Sequence, residues 1–222
     1  MWRDAVLVAG KDLRIEARSR VATNQVAPFA VLVLVLFAFA IDPDRGTLAR
    51  TAPGLFWVAV LFSALLAVQR SFAIEAADGA RDGLRMSGLD GAGVFLGKAT
   101  AVALQLVGLE IVLGAGVVVL YGSHLRDPLL LLAICILSTA GLAAAGTIYG
   151  VVAAGLKVRE TLLPLLVLPV VAPVLLAATR ACEAVIEGQS GWAMPWMRIL
   201  GVFTVVYVSF GILAFGPLLE EA

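Results

Sequence analysis

Long apolar runs follow one another along almost the whole chain, and short charged stretches separate them. A helix needs about 20 largely apolar residues to cross a hydrocarbon core of about 30 Å. In lipid, backbone polar groups must find their partners within the segment, so such runs fold as helices. The pattern predicts an all-α polytopic membrane protein with six transmembrane helices, at residues 22–41, 52–69, 99–121, 129–155, 162–179 and 199–216.

The composition agrees with this environment. Of 222 residues, 61% are hydrophobic and only 14% are charged, whereas soluble domains carry about 25% charged residues. Helices in lipid pack on one another, so we expect a single transmembrane domain over residues 1–222 with the lipid bilayer around it. The formal net charge is zero, and nothing in the charge balance favours nucleic acid as a partner.

The first apolar run has a second interpretation, because Ala38-Phe39-Ala40 fits the cleavage site of a signal peptide. The segment before that run is long and contains the acidic residues Asp4, Asp12 and Glu16. A signal peptide normally begins with a short basic region. We therefore expect the first run to remain as a span.

Basic residues beside the spans predict the orientation, because Lys and Arg are enriched on the cytoplasmic side. With the N-terminus inside, eleven of the sixteen basic residues are cytoplasmic and five are not. We expect a multi-pass protein of the cell (inner) membrane with cytoplasmic N- and C-termini. The cytoplasmic set is Arg3, Lys11, Arg14, Arg18, Arg20, Arg70, Arg81, Arg85, Lys98, Lys157 and Arg159.

The N-terminal segment, residues 1–21, has helical periodicity. Trp2, Val6, Ala9 and Leu13 recur at helical spacing, and basic residues occupy other faces. This pattern is typical of an amphipathic helix in the membrane interface. An ordinary basic flank of the first span is the simpler alternative.

The longest cytoplasmic loop, residues 70–98, follows the second span directly. It has about thirty residues, whereas a helix connection commonly takes about 2–8. Glycines limit any helix within it to short pieces, and a few apolar residues stand among charges. Such a piece suits docking into a groove on another protein. The candidate contact residues are Phe72, Glu75, Asp78 and Gly79; the alternative is a solvated loop that only reverses the chain.

Two blocks of sequence resemble a known family. The first is LAR-x-APG-x-x-W-V-A, with LLAVQRSF and then F-x-x-E-x-x-D-G. The second is LK-x-x-x-x-LLPLLVLP-x-x-x-P-x-LL-A-A-T, from Leu156 to Thr179. Both are similar to the CcmB family, the membrane subunit of the haem exporter or cytochrome c maturation ABC complex. The resemblance covers essentially the whole chain.

The resemblance implies an ABC-2-like permease whose coupling helix, with Phe72, Glu75, Asp78 and Gly79, docks on the ATPase. The complex would export haem or release a haem-loaded chaperone. The implied partners are an ABC ATPase subunit (CcmA-like), a haem-handling membrane subunit (CcmC-like), a small membrane subunit (CcmD-like) and a periplasmic haem chaperone (CcmE-like).

Motifs for catalysis are absent from the sequence. It contains no GxxxxGK[ST] phosphate loop, no HExxH and no GxSxG. Gly93-x-x-x-Gly97 opens a span and indicates close helix packing instead. We expect no catalytic residues and no enzyme activity here, with ATP bound and hydrolysed by a separate subunit.

Direct haem ligation has weak support. The histidine His124, with Cys182 and Met194, falls on the outer side, but no spacing among them dictates a site. Trp192 and Trp196 beside Met194 are typical of an aromatic interface belt. The two cysteines form no CxxC motif and predict neither a metal site nor a disulfide. We expect no directly bound cofactor or metal, with haem as cargo of the complex.

Glu110 lies near the middle of the third span, where a carboxylate is costly enough to suggest function. It either faces a cavity or is a protonated structural group, with Thr147 or Tyr149 as a candidate hydrogen-bond partner.

Prolines interrupt the fifth predicted span. Pro164, Pro169 and Pro173 each remove a backbone donor, which predicts a bent or broken helix. In the fourth span, Gly146-x-x-x-Gly150 and many alanines predict close packing, within the bundle or between two copies.

Two rival functions stay open at this stage. An ABC-2 permease for a lipid, drug or polysaccharide would share the bundle and the coupling loop. A membrane scaffold would hold haem-handling subunits together without moving anything.

Overall fold

The computed structural model describes residues 1–20, 24, 26–40, 45–77, 88–121, 126–154 and 159–221, and the side chains of all these except 45–49, 75–77, 121, 159–160 and 221. The regular structure in these ranges is helical. The described helices are α1 (Trp2–Ser19), α2 (Ala27–Ala40), α3 (Arg45–Ala77), α4 (Gly91–Tyr121), α5 (Pro128–Ala154), α6 (Arg159–Ile186) and α7 (Ser190–Glu221).

Five of the described helices, α3 to α7, are long and apolar enough to cross a membrane. The prediction of an all-α polytopic membrane protein is confirmed. The first predicted span, 22–41, contains the shorter helix α2 of 14 residues. At 1.5 Å per residue, α2 is about 21 Å long, less than the hydrocarbon core.

α1 is a helix, as the periodicity predicts, but its buried face differs from the predicted apolar stripe. Ala5, Val8 and Ala9 are buried, while Trp2 and Val6 are 73% and 72% exposed. The reason is that small residues let α1 lie close to α4. The larger apolar side chains therefore point away from the bundle.

Two glycines of α4 make this close approach. A Cβ atom on Gly93 would lie 2.8 Å from the Met1 carbonyl oxygen, and one on Gly97 would lie 2.7 Å from that of Ala5. Real Cβ atoms do not come so near to backbone oxygen. The prediction that Gly93-x-x-x-Gly97 serves helix packing is confirmed, and the partner helix is α1.

α5 occupies the centre of the bundle. Residues 141–148 are all buried. A Cβ on Gly146 would lie 2.8 Å from Cγ2 of Val68 in α3, and one on Gly141 would lie 3.0 Å from Oγ1 of Thr204 in α7. Of the two uses that the small residues allowed, packing within the bundle is the one observed.

Candidate functional site

A buried charge cluster lies where the C-terminal end of α3 meets α1 and the first turns of α4. Lys98 of α4 is buried, with 1% of its side chain exposed. Its Nζ lies 3.3 Å from Oδ2 of Asp12 in α1 and donates a hydrogen bond of 3.2 Å to Oγ of Ser71 in α3. Ser71 in turn donates to Asp12 over 3.4 Å. We call Asp12, Ser71 and Lys98 the charge cluster.

Phe72 covers this cluster from inside the bundle. The Lys98 Nζ lies 4.8 Å from the centroid of the Phe72 ring, within the range of a cation–π contact. The ring is 6% exposed and packs against Gly150 of α5, where a Cβ would clash with it. The Phe72 side chain therefore packs inside the bundle and holds the end of α3 in place, and its contact with an ATPase stays a prediction.

The other predicted coupling residues lie just beyond this point. Glu75 is in the last turn of α3, but its side chain lies outside the described part of the structure, and so do Asp78 and Gly79. The structure gives the position of the last described turn of α3, which precedes Asp78 and Gly79 in the sequence. The end of α3 projects from the charge cluster.

α1 has further ionic contacts along its length. Arg70 Nε lies 3.5 Å from Glu16 Oε2, and Lys11 Nζ lies 3.1 Å from Asp12 Oδ1. At the other end of α1, the Met1 amine donates to Asp4 over 3.1 Å. This hydrogen bond raises the pKa of the amine and lowers the pKa of the Asp4 carboxyl. Asp90, just before α4, also lies 3.5 Å from the Met1 amine through its Oδ2 atom, and its backbone N–H donates to Asp4 over 3.4 Å, so α1 is held at both ends.

Glu110 is buried between α4 and α5, where its carboxylate accepts a hydrogen bond from the Thr139 hydroxyl. The prediction that Thr147 or Tyr149 is the hydrogen-bond partner of Glu110 is wrong, because the donor is Thr139. Glu110 lies eleven residues before the end of α4 and Thr139 eleven after the start of α5, so an antiparallel pair brings them level. Glu110 does not line the cavity described below, which favours its structural role.

The three prolines of α6 lie within one continuous helix, Arg159–Ile186. Pro169 and Pro173 are exposed and Pro164 is half-buried, whereas Val167 and Val171 are buried. The prolines therefore lie toward the surface of the bundle. The helix is not broken at any of them.

The candidate haem ligands do not form a cluster in the described structure. His124 lies outside the described residues. Cys182 is buried as a free thiol, and Met194 is 50% exposed. Over the described ranges, no group of three or more His, Cys, Asp or Glu side chains is arranged to hold a metal ion.

A cavity of about 980 Å³ opens beside the charge cluster, between α2, α3, α4 and the end of α5. Its polar lining side chains are Glu16, Gln69, Arg70 and Gln105 near the charge cluster and Ser63 further along α3. Its walls are mainly apolar, and none of the described lining residues is His, Cys, Met or Tyr. The arrangement suits an amphipathic molecule better than a metal-centred one.

Sequence reasoning missed the charge cluster and the cavity. Lys98 counted only as a basic flank, and Asp12 only as evidence against a signal peptide. The sequence feature that could have indicated the charge cluster was an acidic and a basic residue in two segments predicted to lie on the same membrane face.

Long apolar helices, packed through glycines and joined by a charge cluster at one end, define a polytopic membrane protein. The family model described as "CcmB protein" matches residues 3–221. The chain therefore belongs to the CcmB family, as its motifs indicated.

Several curated relatives are named "Heme exporter protein B". The protein of Paracoccus denitrificans is 37% identical over 82% of this chain and 82% of its own length. That of Haemophilus influenzae is 33% identical over 88% and 87%, respectively. That of Pseudomonas aeruginosa is 30% identical over 94% of both chains.

The first prediction concerns the charge cluster. Lys98→Met keeps the side-chain length but leaves Asp12 without its buried partner, so the free energy of unfolding should fall by about 3 kcal/mol. Thermal unfolding in detergent and hydrogen exchange of α1 measure the loss. Lys11→Met is the matched control, because its exposed ammonium also pairs with Asp12 and should contribute at most about 1 kcal/mol. Equal losses in both variants would contradict the special role of Lys98.

The second prediction concerns Glu110. Glu110→Gln should keep thermal stability and complement a bacterial strain that lacks its own CcmB-family protein, because the amide oxygen still accepts from Thr139. Glu110→Leu should lower stability by about 1–3 kcal/mol, since the Thr139 hydroxyl loses its acceptor. A stable Glu110→Gln protein that fails to complement would show that the ionisable carboxyl itself is required.

Proposed function

We propose that this chain is the membrane subunit of an ABC transporter complex for haem export in cytochrome c biogenesis. The observation that carries the proposal is the family match over residues 3–221, together with several relatives named as haem exporters that align over most of both chains. ATP would be bound by a separate subunit. Haem is cargo of the complex in this proposal, and this subunit holds no cofactor of its own.

The contacts between helix ends support six crossings. Gly91 at the start of α4 lies against Gly216 near the end of α7, and Phe95 packs on Phe215. Four helices in succession therefore return the chain to the same end of the bundle, and that end also holds α1. Both chain termini belong to one membrane face in this proposal.

α2 supplies the remaining crossing. Residues at its start line the cavity together with Glu16 and Arg70. Leu34, further along α2, lies 3.5 Å from the Cβ position of Gly116 near the far end of α4. α2 therefore runs away from the charge cluster, and α3 returns to it. By the excess of basic residues, the face with the charge cluster is cytoplasmic and the membrane is the inner one.

The position of α3 supports coupling to the ATPase. A force on residues 75–79 would be transmitted to the bundle by two residues. Phe72 is packed on Gly150, and Ser71 is hydrogen-bonded to Lys98 and Asp12. The end of α3 would then move together with α1 and the start of α4. The proposed partner at this surface is the CcmA-like ATPase. CcmC-like, CcmD-like and CcmE-like proteins complete the complex that handles the haem.

The third prediction tests ATPase docking. Asp78→Lys should reduce co-purification of the ATPase by tenfold or more while thermal stability stays normal. Glu187→Lys is the matched control, because it makes the same charge change in the exposed turn between α6 and α7. Phe72→Ala should behave differently, with a lower unfolding temperature, because it empties a packed site. Normal co-purification and normal cytochrome c maturation with Asp78→Lys would reject docking at this residue.

The fourth prediction separates transport from scaffolding. A Cβ on Gly54 of α3 would lie 3.9 Å from Cγ2 of Thr179 in α6, so Gly54→Cys with Thr179→Cys places two thiols within cross-linking reach. The background carries Cys135→Ala and Cys182→Ala. Cross-linking should abolish cytochrome c maturation without dissociating the complex, because a driven permease needs α6 to move.

The reduced double-cysteine protein is the control for that experiment. It should mature cytochrome c normally before oxidation and again after reduction. Normal maturation while the cross-link is intact would mean that no motion between α3 and α6 is needed, and the scaffold function would then be preferred.

A further inference from the structure

We propose that the cavity beside the charge cluster is a binding site for a single phospholipid of the cytoplasmic leaflet. Its headgroup would lie at Arg70 and Glu16, and an acyl chain would extend inward between α2, α3 and α4. This ligand is distinct from the cargo of the proposed transporter. The site needs only that the chain lies in a bilayer with the charge cluster at one surface.

The length of the cavity matches one leaflet. Along α3 its lining extends from Ala73 to Ser63, ten residues or about 15 Å at the helical rise. Half of a hydrocarbon core of about 30 Å is the same distance. An acyl chain that begins at the polar end would therefore reach the middle of the membrane.

The polar end of the cavity suits a zwitterionic headgroup. Arg70 and Glu16 place opposite charges 3.5 Å apart on the lining. The Arg70 side chain is 33% exposed and lines the cavity. A headgroup phosphate would accept from its terminal N–H groups, and a headgroup ammonium would face Glu16. Phosphatidylethanolamine carries both groups.

The walls favour a flexible apolar chain over a haem. Phe29, Leu66 and Leu104 line the cavity and are 49%, 42% and 52% exposed, so the cavity is open sideways toward lipid. Iron in haem is usually held by His, Met, Cys or Tyr, and the described lining has none of these. The volume of about 980 Å³ is at the upper end of ordinary ligand pockets.

Gly108 offers a way to fill the cavity without distorting the helix. It lines the cavity, and a Cβ atom there would meet nothing within 4 Å. Gly108→Trp should therefore reduce phospholipid retained by the purified complex at least threefold, measured by native mass spectrometry and phosphate assay after mild detergent extraction. Gly114→Trp on the same helix is the control, because it is equally open but does not line the cavity.

Two further variants make the result decisive. Ala67→Leu, on α3, adds volume to the same cavity lining and should also reduce retained phospholipid. It tests the proposal independently if Gly108→Trp does not fold. Glu16→Gln should lower retention of phosphatidylethanolamine more than that of phosphatidylglycerol in nanodiscs that contain both, because only phosphatidylethanolamine has an ammonium group to face Glu16. Equal lipid retention by wild type, Gly108→Trp and Ala67→Leu would overturn the proposal. Haem retained by wild type in place of lipid, and lost in Gly108→Trp, would overturn it in favour of a cargo site.

Discussion

The arrangement of α1, α3 and α4 depends on one buried ammonium group. Lys98 is almost completely buried, and an unpaired buried charge costs several kcal/mol. Its partners come from two other helices, with a carboxylate of α1, and a hydroxyl and an aromatic ring of α3. Separating α1 from α4 would remove its carboxylate partner, and separating α3 from α4 would remove a hydrogen bond and a cation–π contact. The charge cluster therefore makes three segments of the chain act as one unit.

Glycine makes this unit geometrically possible, because the charged atoms meet only if the backbones come close. Gly93 and Gly97 let α1 rest on α4, while Gly146 and Gly150 let the end of α3 rest on α5. In lipid there is little hydrophobic gain from helix association, so such close contacts and buried polar bonds must supply the stability. A side chain at Gly93 or Gly97 would collide with the backbone carbonyl of Met1 or Ala5, and one at Gly146 or Gly150 would have to displace Val68 or Phe72.

The sequence predicted local features better than distant pairings. Apolar runs and basic flanks are local, and they predicted the helical class and the five long spans. Of the first predicted span, 22–41, the described helix is Ala27–Ala40. The pairing of Glu110 with Thr139 could have been predicted from the sequence, since both residues lie eleven positions from the turn of one helical hairpin. The pairing of Lys98 with Asp12 was not. These residues are 86 positions apart, and a third helix completes their contact.

Three features that matter for function meet at the end of α3: the cavity, the charge cluster and the packing on α5. Within four consecutive residues, Gln69 and Arg70 line the polar end of the cavity, Ser71 belongs to the charge cluster, and Phe72 packs on α5. A rotation of this turn would break the Ser71 bond and move the Arg70 guanidinium away from the cavity at the same time. Binding in the cavity and force on the end of α3 are therefore linked through one helical turn. A lipid bound there would stabilise the arrangement that the charge cluster already favours, and a partner that pulls on α3 would have to work against both.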